Sequence, residues 1–142
     1  MNPKIYNMYQ HETQIRVRYG ETDTMGYVYY GNYATFYEVA RTEMVRHLGI
    51  SYHAMEEMGI ALPVIHLECK FIRPAVYDDL LTIKTYLREI PTARIKFYYE
   101  IYNESGVKIN EGNTTLVFTN GQTKRPTRPP EDFIKALKPF FG

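Results

Sequence analysis

The sequence predicts an α+β fold in which a curved antiparallel sheet wraps around one long helix. Residues 33–48 carry apolar side chains at steps of three and four, the period of a helix with one buried face. From Val64 onward, apolar side chains recur at every second position, the period of a strand. One amphipathic helix cannot cover both faces of such a sheet. We therefore expect the sheet to curve around the helix and to expose an outer face and edges that favour dimerisation.

The first predicted elements are one strand and two helices. Alternation over residues 14–19 predicts a strand with one buried face, and a Gly-rich loop follows it. Asn32 is a good N-cap residue for the long helix, and Gly49 provides its stop. A shorter helix is predicted over residues 52–58.

The second half of the sequence predicts the rest of the sheet within a single domain, 1–142. Three strands are predicted from strict alternation, and a fourth from two shorter runs that meet at Gly112, where we expect a bend. These strands cover residues 65–72, 81–88, 95–102 and 107–119. A short C-terminal helix carrying Phe133 and Leu137 follows Pro130.

Composition and charge exclude several classes of function. The formal net charge is +1, so no basic surface for nucleic acid is expected. A single cysteine, Cys69, cannot form an intramolecular disulfide. The first residues lack an apolar signal region, and no segment is long and apolar enough to span a bilayer. We expect a cytoplasmic protein without a transmembrane segment.

Most familiar catalytic motifs are absent from the sequence. The only serines, Ser51 and Ser105, do not lie in a Gly-x-Ser-x-Gly elbow. The four histidines are scattered and suggest no zinc site, and no glycine-rich nucleotide-binding loop is present. We therefore predict no metal and no cofactor.

One segment, residues 18–33, combines two carboxylates, three glycines and the entry to the long helix. Asp23 and Gly26 are also typical of an ordinary turn. However, a helix start offers free N–H groups and a dipole that stabilise negative charge, so an oxyanion can develop there beside Asp23. Thioesters suit so sparse a site because a thiolate leaves readily. One carboxylate can then act as general base or as nucleophile.

Segments 17–33 and 71–80 resemble the hotdog-fold acyl-CoA thioesterases of the 4-hydroxybenzoyl-CoA thioesterase group, which includes the subgroup associated with the Tol-Pal system. The resemblance implies a homodimer or homotetramer with active sites at subunit interfaces. It places the catalytic aspartate at Asp23 and the carbonyl-polarising backbone N–H near Tyr30 and Gly31. The Tol-Pal subgroup carries a histidine where Tyr30 stands here.

The substrate implied is an acyl thioester of CoA or of acyl-carrier protein. The residues predicted to bind it are Tyr27, Asn32, Arg73, Arg88, Arg94 and Lys96, with the basic ones as candidates for CoA phosphates. We expect Glu21 to face solvent and Glu38 to form an ion pair with Arg41. Two other functions stay open: a hotdog dehydratase or hydratase, and a non-catalytic module that binds acyl thioesters.

Overall fold

The computed structural model describes residues 8–142. Three α-helices and seven strands succeed one another along this part of the chain. They are β1 (Tyr9–Arg16), α1 (Asn32–His47), α2 (Tyr52–Glu57), β2 (Ile60–Ala61), β3 (Val64–Phe71), β4 (Leu80–Leu87), β5 (Arg94–Tyr102), β6 (Lys108–Val117), β7 (Thr119–Asn120) and α3 (Glu131–Leu137).

Five strands form one antiparallel sheet in the order β1-β4-β5-β6-β3. The two edge strands, β1 and β3, therefore lie far apart in space although they flank α1 and α2 in sequence. The short strands β2 and β7 form a separate two-stranded ribbon. The prediction of an antiparallel sheet combined with helices is confirmed.

The core lies between α1 and one face of the sheet. The buried side of α1 follows the predicted stripe, and α1 contacts β1 and β4. The buried residues of α1 include Tyr33, Phe36, Tyr37, Ala40 and Met44. Every second residue of β4 and β5 is also buried, including Leu81, Ile83, Phe97 and Ile101. Burial of each such large apolar side chain contributes about 1.5–3 kcal/mol.

Gly112 allows α1 to approach the sheet closely. The Tyr37 hydroxyl donates to the side-chain oxygen of Asn110, and its ring stacks on Tyr99 with centroids 4.1 Å apart. A Cβ at residue 112 would lie 2.6 Å from the Tyr37 hydroxyl oxygen and would also collide with the Glu68 carbonyl. Most of the strand predicted over residues 107–119 is β6, but β6 ends at Val117 and Thr119 belongs to β7. The pairing of β6 with β3 and β5 runs through Gly112 without a register shift.

Two local expectations are wrong. The first strand is β1, Tyr9–Arg16, and Tyr19–Glu21 instead form a turn of 3-10 helix. Arg41 is buried, at 7% exposure, and among residues 8–142 it forms no ion pair with Glu38 or with any other carboxylate.

Candidate active site

The loop between β1 and α1 is attached to the segment that leads into β4. The Val17 N–H donates to the Asp79 carbonyl at 2.9 Å, and the Asp78 N–H donates back to Val17 at 3.0 Å. Further along, the Val28 N–H donates to the Ala75 carbonyl at 2.8 Å. These bonds place the loop at the end of the sheet where β1 ends and β4 begins.

Asp23 forms a tight turn that leaves half of its carboxylate free. Its Oδ1 accepts from the backbone N–H groups of Met25 at 2.9 Å and Tyr27 at 3.2 Å. Gly26 takes the positive φ of +83° that this turn requires. The other oxygen, Oδ2, has no hydrogen-bond partner in the part of the chain that the structure describes. The turn predicted from Asp23 and Gly26 therefore holds the carboxylate in place through Oδ1 and leaves Oδ2 without a hydrogen bond in the described residues.

The start of α1 has no side-chain cap. Gly31, and not Asn32, is the N-cap residue, and the Asn32 side chain instead donates to the Glu21 carbonyl at 2.8 Å. The N–H groups of Asn32 and Tyr33 donate to the carbonyls of Tyr29 and Tyr30. Within residues 8–142, the N–H groups of Tyr30 and Gly31 find no acceptor. Two donors at the positive end of the helix dipole are thus available to an anion.

A cavity of about 440 Å³ brings several predicted site residues together. Asp23, Tyr27, Tyr30 and Arg73 line it. Its other walls are the apolar and aromatic side chains of Met25, Val28, Tyr33, Phe71, Ile72 and Pro74. Phe71, Ile72 and Arg73 come from the end of β3 and the residues after it, so this edge of the sheet completes the cavity. The apolar and aromatic side chains give the carboxylate a largely apolar surrounding on one side.

Two tyrosines, Tyr33 in the cavity wall and Tyr29 beside Tyr30, have raised pKa values. Burial raises the pKa of Tyr33 to about 12, and its ring packs against Phe71 with centroids 5.4 Å apart. Tyr30 is 66% exposed and lies against Tyr29, with ring centroids 4.6 Å apart. A hydrogen bond with Tyr30 raises the pKa of Tyr29. Neither Tyr33 nor Tyr29 is therefore poised to act as a base.

Three of the predicted basic residues lie away from this cavity within one chain. Arg88 follows the end of β4, whereas the loop of Asp23 lies at the start of that strand. Eight residues of strand span about 26 Å. The Arg88 guanidinium stacks 3.7 Å from the centroid of Tyr98, and the Lys96 ammonium lies 5.0 Å from the same ring. Arg94, the first residue of β5, is at the same end. Arg88 also lines a larger cavity of about 900 Å³ on the outer face of the sheet, which excludes Asp23.

Sequence reasoning missed the role of Glu21. Its side chain is only 12% exposed, so the expectation that it faces solvent is wrong. One carboxylate oxygen accepts from the Arg18 backbone N–H at 2.7 Å, and the other accepts from the Arg18 guanidinium at 3.1 Å. The three-residue spacing of Arg18 and Glu21 was visible in the sequence and is the signal that identifies this contact.

Within residues 8–142, no group of three or more His, Cys, Asp or Glu side chains is arranged to hold a metal ion. None of the helices in this range is long and apolar enough to cross a membrane.

A five-stranded antiparallel sheet that packs on α1 is the architecture of the hotdog class of proteins. Residues 17–137 match the family described as the Thioesterase-like superfamily. This chain belongs to that family, and the predicted resemblance to hotdog-fold thioesterases is confirmed.

Relatives and solved structures agree with this assignment. The chain is 32% identical over 124 residues to the acyl-CoA thioester hydrolase YbgC of Escherichia coli O6:H1, covering 87% of this chain and 92% of that protein. It is 39% identical to a DHNA-CoA thioesterase from Staphylococcus aureus, with a TM-score of 0.81 and coverage of 84% and 80%. A hypothetical protein from Thermus thermophilus is 36% identical, with a TM-score of 0.83 and coverage of 91% and 95%.

Proposed function

We propose that this chain is an acyl-CoA thioesterase that hydrolyses its substrate to a carboxylic acid and CoA. One observation carries the proposal. The Asp23 carboxylate, whose Oδ2 has no hydrogen-bond partner in the described residues, occurs together with two unpaired N–H groups at the start of α1. The family and the activity of the YbgC relative support the same reaction class.

In the proposed reaction, the Asp23 carboxylate and the N–H groups at the start of α1 have different roles. The N–H groups of Tyr30 and Gly31 donate to the thioester carbonyl oxygen and stabilise the negative charge that develops on it. Oδ2 of Asp23 either removes a proton from an attacking water or attacks the carbonyl carbon itself to form a mixed anhydride, which water then hydrolyses. On both routes the carbon–sulfur bond breaks, water supplies the hydroxyl of the acid, and the thiolate takes up a proton. Neither route uses a cofactor.

Substrate binding is assigned to the cavity, to Arg73 in its wall, and to three basic residues at the far end of β4. The aromatic wall, with Tyr27, receives the acyl group, and Arg73 is the basic residue that lines the same cavity. Arg88, Arg94 and Lys96 form no ion pair in the described part of the chain, so their charges are available to phosphates. Because they lie at the opposite end of β4, we propose that they contact CoA or acyl-carrier protein at a site shared between two subunits.

The proposal includes a homodimer, or a tetramer built from two dimers. Strand β3 presents an unpaired backbone edge together with exposed Val64, Ile65, Leu67 and Phe71, which is the surface that a second copy covers. The sheet of each subunit is proposed to wrap around α1 as its central helix. A substrate linked to CoA belongs inside the cell, so we propose a cytoplasmic location. Light scattering that detects an active monomer at assay concentration would contradict the dimer.

Turnover of a panel of acyl thioesters, measured by the release of free thiol, tests the function. The panel contains aromatic and aliphatic acyl groups of increasing length on CoA, and matched acyl groups on acyl-carrier protein. We expect hydrolysis of at least one class well above the spontaneous rate. Binding without turnover across the panel would instead favour the non-catalytic module. A dehydratase is disfavoured because the loop from Arg18 to Tyr33 has no histidine.

A further inference from the structure

The carbonyl of Glu21 joins the loop of Asp23 to the first turn of α1. It accepts from the Tyr29 backbone N–H at 2.8 Å and from the side-chain amide of Asn32 at 2.8 Å. Asn32 is the first residue of α1, and Glu21 precedes Asp23 by two positions. One side chain therefore ties together the two halves of the proposed site.

The other end of this link is also fixed. Both carboxylate oxygens of Glu21 accept from Arg18, two residues after the end of β1. The guanidinium contact is exposed and contributes little, whereas the 2.7 Å bond from the Arg18 backbone N–H holds the Glu21 carboxylate against the chain. The side chain of Glu21 thus contacts the segment that follows β1, and its carbonyl contacts the start of α1.

We propose that Asn32 is a positioning residue, which holds the loop of Asp23 at a fixed distance from the free N–H groups of Tyr30 and Gly31. The inference rests on the proposed function and revises the expectation that Asn32 binds substrate, because its amide is committed to Glu21. Hydrolysis requires the carboxylate and the N–H donors to meet one carbonyl group at the same time. A displacement of about 1 Å between such groups lowers turnover by about 100-fold.

Asn32→Leu tests the link because it keeps a similar volume, removes the donor and adds no charge. We expect kcat to fall by about tenfold or more while KM stays within about threefold, because the walls of the cavity are untouched. A neutral hydrogen bond contributes only about 1 kcal/mol to folding, so the variant should remain folded.

Asn120→Ala is the matched control. Its Oδ1 accepts from the N–H groups of Gln122 and Thr123 in a loop that follows β7, away from Asp23. This variant also loses side-chain hydrogen bonds, but kcat should be unchanged. A general loss of stability would lower the activity of both variants alike.

Hydrogen exchange provides a readout that does not depend on turnover. In Asn32→Leu, the amides of residues 23–29 should exchange faster than in the wild type, whereas Asn120→Ala should leave them unchanged. If the wild type hydrolyses no thioester, the proposed function fails, and this exchange experiment still decides whether Asn32 holds the loop. Unchanged exchange, or a raised KM with normal kcat, would overturn the proposal; the second result would return Asn32 to substrate binding.

Discussion

Replacing Asp23 by asparagine exchanges one carboxylate oxygen for an amide group and keeps the other oxygen. The retained Oδ1 can still accept from the N–H groups of Met25 and Tyr27, at 2.9 and 3.2 Å in the wild type. The turn should therefore persist, and the thermal midpoint should shift little. The lost oxygen is Oδ2, which has no partner in the described part of the chain and is the proposed base or nucleophile.

The expected loss of turnover follows from this division of roles. General base catalysis contributes about 10²–10⁴-fold, so Asp23→Asn should lower kcat by about 100-fold or more. A 100-fold loss corresponds to about 2.7 kcal/mol of transition-state stabilisation. Asp23→Ala should lose the same activity and also about 1 kcal/mol of stability for each backbone N–H left without its acceptor.

Free-thiol release on the preferred substrate and a thermal unfolding curve measure the two effects separately. Asp132→Asn is a suitable control, because Asp132 is an exposed carboxylate in the first turn of α3. It should retain normal turnover. If Asp23→Asn keeps more than about a tenth of the wild-type kcat, the carboxylate does not carry the chemical step and the assignment is refuted.

Three further predictions concern single side chains. Tyr30→Phe should leave kcat within a few-fold, because the proposed donor is the backbone N–H; abolished turnover would make the phenol the catalytic group. Gly112→Ala should lower the free energy of unfolding in urea by about 1–3 kcal/mol, because the added Cβ would lie 2.6 Å from the Tyr37 hydroxyl oxygen. Arg41→Met should leave that free energy unchanged within about 1 kcal/mol, or raise it, because the buried Nε of Arg41 has no acceptor. A loss above about 2 kcal/mol would instead indicate a bound counter-ion at Arg41.

The extent of α1 was predictable because helical periodicity is a local property. Apolar residues at steps of three and four fall on one side of any helix, and that side is the buried one here. The N-cap residue of α1, which is Gly31, was not predictable from local sequence. Asn32 has the side chain of a good N-cap residue, but the Glu21 carbonyl, eleven residues earlier, takes its amide.

In the sheet, too, local periodicity predicts where strands occur, whereas distant contacts decide how they are arranged. Alternation located β4 and β5 within one residue of their observed bounds, because a strand with one buried face must alternate. The alternation of β3 predicted a strand but not its place at the sheet edge, where its apolar residues are exposed. A strand's place in the sheet depends on pairing with distant residues, and its own sequence does not record that pairing.

By itself, the sequence determined the α+β class, the family resemblance and the choice of Asp23, because each depends on residue types at short spacing. Only the tertiary structure decided which of the predicted residues meet. It places Arg73 beside Asp23, Arg88 at the far end of β4, Glu21 out of solvent, and Arg41 in the core. The physical reason is that chain folding sets these distances through β-sheet order and helix packing, which join residues that are remote in sequence.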